Sequence, residues 1–269
     1  MPGRRRMAER HASWVYAVVP ASAPSLPVIT GVADEPVRLV THGDIAAVTG
    51  SVNAADVDEE AWRRRLNDLA WLEHAARSHH RVVARCFETA PAVPFRLATV
   101  YRNDQRVADM LAQRDRELAQ ALATVARRAE WGVQVFRPPP QDHHDDPSAV
   151  DYNPARPGTS YLMRRRAQRS AVEIRRRSAA EAADEVHAIF QQLAVAAART
   201  PPTNRPAGHP GGQEGRMVLN AAYLIGDDRR DDVAAAAREL GERHPALQLR
   251  VTGPWPAYSF VEIGEGVPA

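Results

Sequence analysis

The chain contains no lysine, so all 35 of its basic residues are arginine. Such uniformity reflects a bias acting on the whole composition rather than 35 separate selections of guanidinium. An arginine count therefore says little about phosphate binding. The formal charge is only +2 at neutral pH, without the concentrated basic excess of a dedicated nucleic-acid binder. Cysteine is almost absent. With Cys86 alone, neither an intrachain disulfide nor a thiolate zinc site can form. Its expected place at a helix C-terminus disfavours a thiolate and argues against a nucleophile. No apolar run approaches the ~18 residues a membrane span needs. The basic stretch Met1 to His11 is followed by no signal-type apolar block, because Trp14 to Val19 reads as a strand. The expected location is the cytoplasm. A Gly-rich phosphate loop, a Gly-x-Ser-x-Gly elbow and a His-Glu-x-x-His helix are all missing. The residues point to no enzyme, no cofactor, no small-molecule substrate, no nucleic acid and no membrane.

What is present is an ordinary folding composition. A chain of 269 residues, 44% hydrophobic and 25% charged, suits two domains of common size. Residues 1–12 read as a disordered basic tail. Trp14-Val15-Tyr16-Ala17-Val18-Val19 is the first strand, and Val37 to Thr41 with Ile45 to Val52 form a hairpin about His42-Gly43-Asp44. A helix follows, capped by Asp56 or Asp58, with Trp62, Leu66, Leu69, Leu72, Ala76 and Val83 on one stripe. Pro94 within Ala92 to Val100 predicts an edge strand or a kinked passage. A second helix from about Asp104 to Arg128 carries Val107, Leu111, Leu118, Leu122 and Val125, giving an α+β layer over residues 13–129 with helices on one face.

A second α+β unit is expected over residues 130–269. Glu130 to Phe136 is its first strand, and residues 138–157 form a mobile loop rich in Pro, Asp and His. Thr159 or Ser160 caps a long helix reaching about Ala197, buried only in its second half. A short strand near Arg199, a central strand at Met217 to Ile225, a helix begun by Asp228 and Asp231, and a strand at Leu247 to Val251 complete a ferredoxin-like β-α-β-β-α-β order. The whole is an α+β fold in two domains, an N-terminal antiparallel layer and a C-terminal ferredoxin-like domain with a long helix.

Gly253-Pro254-Trp255-Pro256-Ala257-Tyr258-Ser259-Phe260 is the most unusual stretch. Two prolines fix φ around Trp255 and end the strand at Gly253, so the aromatics are held at little entropic cost. They either close a core or offer an anchor to a partner. His143-His144-Asp145-Asp146 has metal-compatible chemistry in a loop poorly suited to hold geometry, which leaves a metal-dependent hydrolase as an alternative. Arg165, Arg169 and Arg176 form a stripe that leaves a nucleic-acid module as another. Pairs such as Glu173 with Arg177 make much of that stripe a solvated face.

Taken together, the segments resemble the gas vesicle accessory proteins of the GvpF/GvpL family. The likeness rests on Trp14 to Val19, on Leu69, Leu72, Glu73 and His74, and on Val93-Pro94-Phe95-Arg96-Leu97-Ala98-Thr99-Val100. It continues through Glu130 to Val135, Pro157 to Leu162, Val218 to Leu224 and Thr252 to Val261, in the family's order. Cys86-Phe87-Glu88 sits loosely on the pattern. The resemblance implies a non-enzymatic assembly factor or minor component that binds the hydrophobic shell protein and other accessory proteins. Pro94, Phe95, Arg96, Gly253, Pro254, Trp255, Pro256, Tyr258 and Phe260 are the candidate partner-binding or structural residues. The expected partners are shell and accessory proteins, and the expected place is the gas vesicle and cytoplasm.

Overall fold

A computed structural model describes residues 11–24, 29–57, 59–139, 157–202 and 215–261. The predicted tail over residues 1–12 lies almost wholly outside that range. So do most of the predicted 138–157 loop and, with it, His143, His144, Asp145 and Asp146. The chain divides into two compact units, Met1–Glu130 with Pro254–Ala269, and Trp131–Gly253. The residues after Gly253 therefore belong with the first unit, not with the second as the sequence suggested.

In the first unit, β1 (His11–Pro20) lies between β3 and β4 in a sheet of order β2-β3-β1-β4, with β5 also on β1. β2 (Arg38–His42) and β3 (Ile45–Asn53) pair from Arg38 with Thr49 to His42 with Ile45. Only Gly43-Asp44 is left as the hairpin loop, and Gly43 takes φ +52° as such a tight turn requires. Tyr16 forms a bulge, because β1 slips one residue against β3 between Val15 and Ala17.

Next come α1 (Glu59–Leu66) and α2 (Leu69–Thr89). The single stripe predicted here is broken. Asp68 accepts from the Ala70 and Trp71 amides and starts a new helix, which resets the phase, leaving Leu69 79% exposed and Ala76 exposed. The buried face of α2 becomes Ala75, Ser78, His79, Val82, Val83 and Cys86.

β4 (Val93–Pro94) and β5 (Val100–Tyr101) pair antiparallel to β1 as one interrupted strand. The Val15 amide reaches the Thr99 carbonyl between them. Pro94 sits where a ladder donor is dispensable, in keeping with a kinked edge. The second predicted helix is also two, α3 (Asp104–Gln113) and α4 (Asp115–Val125), joined at Arg114. All five of its predicted core residues are buried. Ala12 to Val19 are buried without a break, so the sheet is covered on both faces, not one. Trp14 and Tyr16 cluster with α2, while α3 and α4 contact β1, β2 and β3.

The second unit holds most of β6 (Arg128–Arg137), all of α5 (Pro157–Leu193), β7 (Ala196–Arg199), β8 (Arg216–Gly226) and α6 (Arg230–Arg243), and β9 (Gln248–Trp255) as far as Gly253. Strand order β7-β8-β6-β9 is that of a ferredoxin-like sheet, and β7 supplies the short strand expected near Arg199. Helix α5 starts at Pro157, ahead of Thr159 and Ser160, since proline suits a first turn. It ends at Leu193, because the Val195 amide bonds to the Leu224 carbonyl and opens the β7–β8 pairing. A 3-10 turn, Asp227–Arg229, precedes α6, so the capping box predicted from Asp228 and Asp231 does not form. β9 runs through Gly253 and Pro254 to Trp255. The strand outlasts Pro254, though not Pro256, because it is a sheet edge, where a missing amide breaks no ladder bond. Ala183, Val186 and Phe190 of α5 pack with Val133, Leu219, Tyr223, Ile225, Val233 and Leu240 in a core of their own.

Candidate partner-binding surface

Two adjacent histidines on α2 organise the predicted residues of the first unit. His79 is 3% exposed. Its Nδ1 lies 3.0 Å from Trp14 Nε1, and its Nε2 lies 3.0 Å from the Phe95 carbonyl. An indole N–H only donates, so Nδ1 must accept, and Nε2 must carry the proton and donate to Phe95. The ring is thereby fixed in one neutral tautomer. Burial pushes its pKa down to about 4, against a smaller upward pull from the Phe95 carbonyl. Phe95 in turn donates its amide to the Tyr16 carbonyl at 2.9 Å. Pro94 and Phe95 are both buried, so these two candidates form part of the core and present no side chain to a partner. Arg96 beside them is exposed.

His80 points the other way. Its ring lies 5.7 Å from the Trp255 ring and 6.1 Å from that of Tyr258, with Nδ1 3.4 Å from the Tyr258 hydroxyl. Trp255 is 43% and Tyr258 38% exposed. Pro256 and Ala257 between them are buried and hold the segment down. Ser259 donates its amide and its hydroxyl to the two oxygens of Glu130, each at 2.7 Å. Burial raises the Glu130 pKa, and the Ser259 hydrogen bonds counter it. Burial and the nearby Glu130 charge raise that of Tyr258. Gly253, at φ +134°, sets the entry to this stretch in a conformation that favours glycine. Phe260 is half-buried. Of the two readings left open for Trp255, the closed core does not describe it.

Sequence reasoning missed His80, Glu130 and Ser259, whose roles come from pairings as distant as 178 residues. It also missed Glu35. That side chain, 9% exposed, accepts from the Tyr16 hydroxyl at 2.6 Å and the Ala33 amide at 2.8 Å. It lies against Gly31 and Gly50, where an added Cβ would fall 1.9 and 1.8 Å from its Oε1. No local pattern singled it out, since Asp34, Arg38, His42 and Asp44 lie in the same stretch between Gly31 and Gly50. Cys86 is not a poised nucleophile, since it is buried and its thiol is pushed up to about 12 by desolvation. Among the described residues no group of three or more His, Cys, Asp or Glu is placed to hold a metal ion. The exposed chemistry is that of two amphipathic rings on a fixed backbone, suited to contact with an apolar surface.

Comparison with known proteins fits this architecture. The model of the family described as gas vesicle synthesis protein GvpL/GvpF matches residues 12–262. Gas vesicle protein L of Streptomyces sp. (strain CB03234) is 35% identical over 96% of both chains. Gas vesicle protein F of the same strain is 26% identical over 93% of this chain and 100% of that one. The crystal structure of the gas vesicle protein GvpF from Anabaena sp. PCC7120 superposes with a TM-score of 0.64 at 18% identity, covering 95% of this chain and 98% of that one. That from Microcystis aeruginosa gives 0.61 at 15%, covering 93% and 98%. These two likenesses bear on the fold. With the family model spanning nearly every described residue and a relative above 30% identity along both full lengths, the chain belongs to the GvpL/GvpF family of gas vesicle synthesis proteins.

Proposed function

We propose that this protein binds the hydrophobic shell protein of gas vesicles, together with other accessory proteins, and limits shell-protein aggregation while the vesicle nucleates and grows. The role is non-enzymatic, carried out in the cytoplasm and at the vesicle. A shell subunit awaiting incorporation exposes apolar surface and unpaired strand edges, both of which promote self-association. Covering them briefly keeps the subunit competent for assembly. The supporting observation is the pair of half-exposed rings, Trp255 and Tyr258, on a segment held by Pro256, Ala257 and the Glu130–Ser259 bonds. Large aromatics that lose little entropy on contact are the usual anchors of protein interfaces.

Co-expression with the shell protein and recovery of the complex tests this. The unaltered chain is expected to retain the shell protein. Trp255→Ala combined with Tyr258→Ala should lower recovery about tenfold, the effect of losing one strong anchor, while leaving the melting temperature nearly unchanged. Absence of a complex with the unaltered chain sinks the binding claim. A complex that survives the double substitution moves the contact elsewhere.

A further inference from the structure

Four arginines from four elements of the second unit meet at one cleft of about 350 Å³: Arg137 at the end of β6, Arg176 on α5, Arg199 on β7 and Arg216 at the start of β8. Asp184 is the single carboxylate lining it and lies 3.3 Å from Arg199. Among the described residues, no carboxylate pairs with Arg137, Arg176 or Arg216. Four guanidiniums against one carboxylate leave a formal +3 in a small concavity, with Ala183 and Val218 among its apolar walls. Like charges held together without counter-charge repel, so the cluster is stabilised by any anion that enters.

The backbone is shaped to make this meeting. Gly215, immediately before Arg216, takes φ +143°, and a Cβ there would fall 2.7 Å from the Arg137 carbonyl oxygen. Glycine thus permits the start of β8 to close on the end of β6 and sets Arg216 beside Arg137. The arginine-rich composition does not explain that contact. A chain can carry many guanidiniums on solvated faces without directing four of them, by way of a glycine, to one place.

We propose that this cleft binds the diphosphate group of a small ligand, an inorganic or nucleoside diphosphate. A terminal phosphate group carries about −1.5 to −2 at neutral pH and the second phosphate adds at least one more charge, so a diphosphate carries about −3 and balances the cleft's +3, whereas one carboxylate leaves most of it uncompensated. Guanidinium forks match phosphate oxygens two at a time. The volume lies at the low end of small-molecule sites, about 300–1,000 Å³, so the bound part is compact. The site is independent of the shell-protein reading and stands or falls without it.

Calorimetric titration of the full chain with inorganic pyrophosphate at low salt is the test. One equivalent should bind, more weakly as salt rises. Combined Arg176→Gln and Arg216→Gln should weaken binding at least about tenfold, since each removes a charge-assisted hydrogen bond. Both side chains are exposed and their removal relieves repulsion, so melting should not fall. Gly215→Ala should weaken binding with every arginine still in place. Arg166→Gln with Arg169→Gln, on the same helix but outside the cleft, should leave it intact. No binding overturns the proposal, as does an equal loss in that control pair, which would signify a diffuse positive field. Binding of poly-glutamate but not pyrophosphate overturns it in favour of an acidic polypeptide.

Discussion

His79 and His80 are chemically identical neighbours one helical step apart, and the fold separates them completely. His79 gives up water for the Trp14 indole and the Phe95 carbonyl, and desolvation lowers its pKa to about 4 from 6.5. Below pH 6.5 the unfolded chain takes up a proton that the folded chain refuses, so stability is complete above that value. It falls as pH drops from 6.5 towards 4 and levels off below, where both states are charged. The full loss amounts to about 3 kcal/mol. Chemical denaturation at stepped pH should show that slope in the parent chain, and His79→Gln should flatten it at the cost of lower stability at neutral pH. Cys86, buried on the same face of α2, remains a thiol across this range.

At the scale of elements, single residues decide where regular structure stops. Asp68 accepts from two amides that would otherwise have no partner at the start of α2. Asp68→Ala should lower stability by about 1 kcal/mol, read as a shift in denaturant midpoint at constant slope. The apolar spacing of the helices was legible in sequence, and so were the hairpin at Gly43 and the buried run of β8, because each is written in residues close together in the chain. The break at Asn67-Asp68 was not, since Trp62, Leu69 and Leu72 keep a helical period straight through it. Neither was the end of α5. Ala194 to Ala198 favour helix by composition, and only pairing with β8 makes them a strand. The candidate surface was half legible: proline spacing marked Trp255 as rigid. Its exposure, and the burial of Pro94 and Phe95, follow from contacts with α2 and β1 that no local pattern records.

For the molecule as a whole, the two cores share no residue. Damage to one should therefore register first in its own unit. Gly50→Ala places a methyl against Glu35, displacing the acceptor of the Tyr16 hydroxyl. Overpacking of this kind costs roughly 1–3 kcal/mol. Hydrogen exchange should show faster amides in β1 and β3, with β8 protected as before. The arginine cluster belongs to this scale too. Arg137, Arg176, Arg199 and Arg216 are scattered through 80 residues of sequence and become neighbours only through the β7-β8-β6-β9 order.

Ser259 closes on Glu130, which lies 129 positions earlier in the chain. A ribosome releases a polypeptide from its first residue onward, at about 5–20 residues per second. The last strip of the leading unit therefore emerges several seconds after the rest of that unit has left the exit tunnel. Until then Glu130 has no serine to hold, and the Trp255 and Tyr258 rings have not reached the flank of His80. A nascent chain thus has no finished aromatic face until the stretch from Gly253 to Ser259 has emerged.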